Sequence, residues 1–147
     1  MRRTVLIGAA IMALSACALL KPLTQEQRFS KEIVGSWIVA GDSSDYQPIP
    51  MHERFFGDGT YWIFWFSDAT CSNKIGETHL TWDIQDGLLV SKITETTGPA
   101  YGHVGDVIKS RIISLTKNRM VLRSLDDGST YARVRSTRCL AQKLIKI

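Results

Sequence analysis

From Gly35 onward the chain is a train of short runs rich in β-branched and aromatic residues, each closed by a turn signal. Eight runs stand out: Ser36 to Ala40, Met51 to Phe56, Thr60 to Phe66, Thr78 to Gln85, Leu88 to Thr96, Val104 to Leu115, Met120 to Leu125 and Thr130 to Arg135. Between them lie Gly57-Asp58-Gly59, Asp86-Gly87, Lys117-Asn118 and Asp127-Gly128, residue types that tolerate positive φ or bond their own backbone in tight turns. Neighbouring runs therefore pair as antiparallel hairpins. A meander of this many strands hides its edges best by closing on itself. The expected fold class is all-β, an eight-stranded antiparallel meander barrel.

Side-chain alternation supports this reading. Leu80, Trp82 and Ile84 share one face of their run, with Thr81, Asp83 and Gln85 on the other, as in a half-buried strand. Tyr61 to Phe66 is apolar on both faces, so its outer side needs a cover. Two helices flank the strands. Thr24-Gln25-Glu26-Gln27 fits a capping box ahead of Phe29 and Ile33, which predicts a short N-terminal helix ending at Gly35. Thr137 to Ile147 places Leu140 and Leu144 on one helical face with Lys143 and Lys146 nearer the rim, which predicts a C-terminal helix packed on the barrel wall.

The start of the chain is of a different kind. Arg2 and Arg3 precede the apolar stretch Val5 to Leu14, which is too short to cross about 30 Å of hydrocarbon as a stable helix. It reads as a signal peptide. Leu14-Ser15-Ala16-Cys17 then resembles the lipobox of bacterial lipoproteins. That resemblance implies removal of residues 1–16, acylation of Cys17 as the new N-terminus, a lipidated tether over 17–25 and a barrel domain over 26–147. Three acyl chains would make the anchorage effectively permanent. Ala18 in place of Asp after the cysteine implies the periplasmic face of the outer membrane, in a cell that has one. With Cys17 committed to lipid, Cys71 and Cys139 remain in an oxidising compartment, and a disulfide is their natural pairing. Closing a loop of that length would contribute about 4 kcal/mol in the chain-entropy account.

Gly35-Ser36-Trp37, opening the first strand after a short helix, is similar to the Gly-x-Trp element of the lipocalins. Arg133 or Arg135, on the last strand, stands where that group places an arginine over the tryptophan. The resemblance implies a lipocalin-like barrel in which Trp37 plugs the closed end while a guanidinium stacks on its face and turns its donors to loop carbonyls. A Cys71–Cys139 bond would match the group's habit of pinning the C-terminal segment to the wall. Lys117-Asn118-Arg119 occupies the turn where many lipocalins carry Thr-Asp-Tyr.

Charge and motifs narrow the function classes. Of 18 basic side chains two are Arg2 and Arg3, leaving 16 against 14 acidic ones, too even a balance for a nucleic-acid binder. From Lys109 onward, however, ten basic residues face only Asp126 and Asp127. That asymmetry either meets anionic headgroups beside the anchor or belongs to solvated outward strand positions. His52, His79 and His103 lack metal-ligand spacing, and neither Cys71 nor Cys139 has a Cys or His neighbour that would complete a site, so no metal or cofactor is expected. There is no nucleophile elbow, phosphate loop or paired-carboxylate arrangement, and the chain does not read as an enzyme.

Two functions fit. In the first, Trp62, Phe64, Phe66, Trp82 and Tyr101 line the lumen or mouth, and the barrel binds or carries a small apolar or amphipathic ligand. In the second, the barrel is filled and serves as a protein-binding module at the cell envelope, an inhibitor, toxin-neutralising or assembly partner. The polar loops Asp42 to Pro50 and Thr97 to Gly105 would then present the contact surface.

Overall fold

The computed structural model describes residues 22–40, 50–68, 70–98 and 102–136. Among these residues one helix, α1 (Gln25–Ile33), precedes eight strands: β1 (Gly35–Val39), β2 (Met51–Phe55), β3 (Thr60–Phe66), β4 (Lys74–Gln85), β5 (Leu88–Thr97), β6 (Val107–Leu115), β7 (Arg119–Ser124) and β8 (Thr130–Arg135). Each strand pairs antiparallel with the next, and β8 returns to β1 through Trp37 opposite Arg135 and Val39 opposite Arg133. The meander closes as a barrel and leaves no free edge.

The capping box forms as expected. The Thr24 backbone N–H donates to the Gln27 side chain at 3.0 Å and the Gln27 N–H to the Thr24 hydroxyl at 3.2 Å. Such a cap is worth about 1 kcal/mol. Phe29 and Ile33 are buried, so α1 lies across one end of the barrel with its apolar face inward. The helix stops at Ile33 with Val34 as its C-cap, short of Gly35, which instead opens β1 at φ 131°.

Two strand boundaries differ from the sequence expectation by more than one residue. β4 starts at Lys74 instead of Thr78, because Gly76 is a strand residue here: a Cβ on it would run into the backbone of Thr97 and Gly98, so glycine lets the two strands touch. β6 starts at Val107 instead of Val104. Residues 103–106 are held as a turn, with the Asp106 N–H donating to the His103 carbonyl at 3.0 Å and the His103 N–H to the Asp106 carboxylate at 2.8 Å.

Alternation sorts the side chains. Trp37, Phe55, Tyr61, Ile63, Trp65, Leu80, Ile84, Leu89, Ile93, Met120 and Leu122 form one buried cluster inside the barrel. The turns after β2, β4 and β6 lie at the α1 end, while those after β3, β5 and β7 lie at the other. Among the described residues no helix is long and apolar enough to cross a membrane. The signal peptide, Cys17, Tyr101, Cys139 and the helix expected over 137–147 fall outside the described residues.

Candidate functional site

The α1 end of the barrel is plugged by Trp37. Its side chain is fully buried, and its indole N–H donates to the Ile33 carbonyl at 2.7 Å, taking up one of the free acceptors at the end of α1. Arg135 lies over the ring with its guanidinium carbon 4.2 Å from the centroid. Its nitrogens donate to three carbonyls: Lys117 at 2.6 Å, Val34 at 2.8 Å and Glu32 at 2.5 Å. One planar fork thereby joins the end of α1, the β6–β7 turn and β8. Gly35 has no Cβ because one built there would collide with that guanidinium. Burial pulls the Arg135 pKa below its ordinary value, yet guanidinium stays charged at any physiological pH.

Arg133 does something else. Two residues along β8 on the same inward face, it lies deeper in the lumen and pairs with Glu53 of β2. Its Nε donates to one carboxylate oxygen and its Nη2 to the other at 3.0 Å, a two-point clasp. The Tyr61 hydroxyl donates to Glu53 Oε1 at 2.7 Å. On the other side the guanidinium lies 4.6 Å from the centroid of Tyr131, whose hydroxyl is 2.7 Å from Ser110 Oγ. Burial alone would lower the Arg133 pKa, but the Glu53 charge and hydrogen bonds hold it above its ordinary value. Burial pushes the Tyr131 phenol up. Of the two arginines open to that role in the sequence, Arg135 closes the end over Trp37, whereas Arg133 neutralises a buried carboxylate.

Beside this ion pair lies a cavity of about 20 Å³, bounded by Leu89, Ser91, Ile108, Met120 and Leu122 as well as the polar network. About 10–15 Å³ on that measure admits one water, whereas a drug-sized ligand needs hundreds of cubic ångströms of pocket. The polar groups at its wall could hold a water with two or more bonds.

The expected ligand-lining aromatics divide between the two faces of the wall. Trp82 points inward at the α1 end, its indole N–H shared between the Phe56 carbonyl at 3.1 Å and the Thr60 carbonyl at 2.9 Å, with its ring edge-on to Phe55. Trp62, Phe64 and Phe66 point out. In β3 the inward positions belong to Tyr61, Ile63 and Trp65, and Trp62 is 38% exposed. A strand with two apolar faces gives no parity signal, and the inward face is the one that brings Tyr61 to Glu53 and Trp65 to Thr78, 3.1 Å from its indole nitrogen. The outer aromatics form a row instead: His52 stacks near Phe64 at 6.3 Å, Phe64 meets Trp62 at 6.0 Å, and Trp62 meets Phe56 at 5.1 Å and His79 at 4.8 Å.

Glu53 and Tyr61 were not anticipated as site residues. The signal was present, since Glu53 falls between Met51 and Phe55 at the inward parity of its run, and a buried carboxylate requires a cation. Among the described residues no group of His, Cys, Asp and Glu is arranged to hold a metal ion. No family model and no curated protein matches this chain.

Proposed function

We propose that this chain is a lipid-anchored envelope lipoprotein, held through Cys17 on the periplasmic face of an outer membrane, whose lipocalin-like barrel is a self-filled frame for binding a protein partner. The observation that carries the reading is the lumen itself. Glu53, Arg133, Tyr61 and Tyr131 occupy the place a ligand would take and leave about 20 Å³ beside them. Admitting an apolar molecule would mean breaking a buried ion pair, a change of several kcal/mol in the wrong direction.

Two loops at the end opposite α1, those after β3 and β7, suit recognition better. They are polar and held in shape by single carboxylates. Asp68 accepts from the backbone N–H groups of Thr70 at 3.0 Å, Ser72 at 3.1 Å and Asn73 at 2.8 Å, and Asp127 accepts from the Ser129 N–H at 3.0 Å. Ordered polar loops on a closed barrel present a contact surface with little entropy left to lose on binding. The Cys71–Cys139 disulfide and a C-terminal helix complete this frame in the proposal. The exposed aromatic row is the surface that helix would cover, and the Ser136 carbonyl already lies 3.4 Å from His52 Nε2 at one end of the row.

The test is photo-crosslinking in living cells from Ser72, Val104 and Asp126. Discrete protein adducts from these positions support a partner module. Absence of any adduct, together with recovery of a stoichiometric small molecule from the purified protein, would instead establish the carrier reading.

A further inference from the structure

The outward positions of β5, β6 and β7 collect cations. Cross-strand register sets Lys92 beside Val107, and Arg111 directly opposite Arg123. β6 and β7 carry no Asp or Glu anywhere along their length. Among the described residues Lys92, Lys109 and Arg111 form no ion pair. Among the described residues the Arg123 side chain has only a 3.4 Å bond from its Nε to the Thr130 hydroxyl. Two like charges facing each other across a strand pair destabilise the fold, and β6 and β7 bear that cost with no carboxylate of their own; the one acidic side chain on β5, Glu95, pairs with His79 of β4.

Aliphatic side chains are interleaved with these cations. Val107 is 48% exposed and Ile113 49% exposed, both on β6. Cations alone would suit any polyanion. Cations with exposed aliphatics between them match the boundary of a lipid leaflet, where anionic headgroups meet acyl chains.

The position of the N-terminus agrees. Glu26, in the first turn of α1, accepts a bond from the Asp86 N–H at 2.7 Å, and the neighbouring Gly87 carbonyl accepts from the Ile112 N–H of β6 at 3.0 Å. The described chain therefore begins beside the α1 end of this wall. Pro22 is five residue steps from Cys17, a reach of at most about 18 Å.

We propose that the outer wall of β5–β7 docks on anionic phospholipid headgroups and seats the barrel side-on against the leaflet that holds its lipid. The orientation rests on the anchor proposed above, but the affinity for headgroups does not. The experiment therefore uses residues 17–147, which contain the whole barrel, with Cys17→Ser so that no acyl chain contributes. The protein is mixed with vesicles of phosphatidylcholine alone and of phosphatidylcholine with phosphatidylglycerol.

Binding is expected to the anionic vesicles only and is expected to weaken sharply with salt, as surface charge is screened. Lys109→Glu with Arg111→Glu should lower the affinity about tenfold or more, and Val107→Ser with Ile113→Ser by a smaller factor. Arg54→Glu with Lys74→Glu, on the aromatic wall, should change it less than about twofold. Equal binding to both vesicle types, no binding, or indifference to the β6 charge reversal in a variant with unchanged circular dichroism would each overturn the proposal. Because the probe carries no lipid, none of these outcomes depends on whether Cys17 is acylated.

Discussion

Arg133 and Arg135 are the same residue type on the same face of one strand, about 7 Å apart, yet they satisfy their charge in different ways. Arg135, at the rim, is held by dipoles: an indole face and three carbonyls. Arg133, in the lumen, is held by a full counter-charge at Glu53. Depth decides between them. At the rim water still screens the guanidinium, so oriented carbonyls suffice, whereas inside the barrel only an anion offsets the loss of hydration.

The largest expected effect comes from removing the counter-charge. Glu53→Ala leaves Arg133 buried and unpaired and should destabilise by about 3–5 kcal/mol in urea unfolding. If the pair is a local arrangement and not a general support, Glu53→Met with Arg133→Leu should recover most of that loss, to within about 2 kcal/mol of the parent. Arg135→Ala removes the stacking and carbonyl bonds at the rim and should cost less, about 1–3 kcal/mol. Arg135→Lys should recover little of it, since an ammonium cannot serve three carbonyls with a planar fork. A rim substitution costlier than Glu53→Ala would reverse the comparison.

Tyr61→Phe deletes one bond to the Glu53 carboxylate and should cost about 1–2 kcal/mol without changing the barrel.

The smallest effect concerns an anion held by dipoles, the mirror of Arg135. Bonds from Thr70, Ser72 and Asn73 lower the Asp68 pKa to about 2. Because the folded value lies below the unfolded one, near 3.9, the contribution is full above about pH 4 and is lost as pH falls through about 2. Amide exchange at Thr70, Ser72 and Asn73 should therefore rise locally in that window while β-sheet signals persist. Unchanged protection there would show that the loop does not depend on this carboxylate.

The barrel was legible in the sequence because turn residues and alternation are local signals. Gly57-Asp58-Gly59 and Asp86-Gly87 fell where hairpins form, and the capping box at Thr24 marked the start of α1. What could not be read was anything that depends on registering distant strands. Arg133 and Arg135 share a parity, so their different depths follow only from how β1 registers against β8 on one side and β2 on the other. The β3 aromatics carry no parity signal, so nothing in the sequence distinguishes Trp62, Phe64 and Phe66, which point out, from Tyr61, Ile63 and Trp65, which fill the lumen. Glu53 meets its cation 80 residues away, a partner that only barrel closure supplies.

The central claim is that the lumen is filled by the chain's own charges and rings. Its most direct test is a high-resolution crystal structure of protein purified from its own host. The expected result is Glu53 and Arg133 in two-point contact, with no more than a single water in the cavity beside them. Elongated density between the two side chains, or a rotated Arg133 releasing Glu53 to a bound molecule, would contradict it.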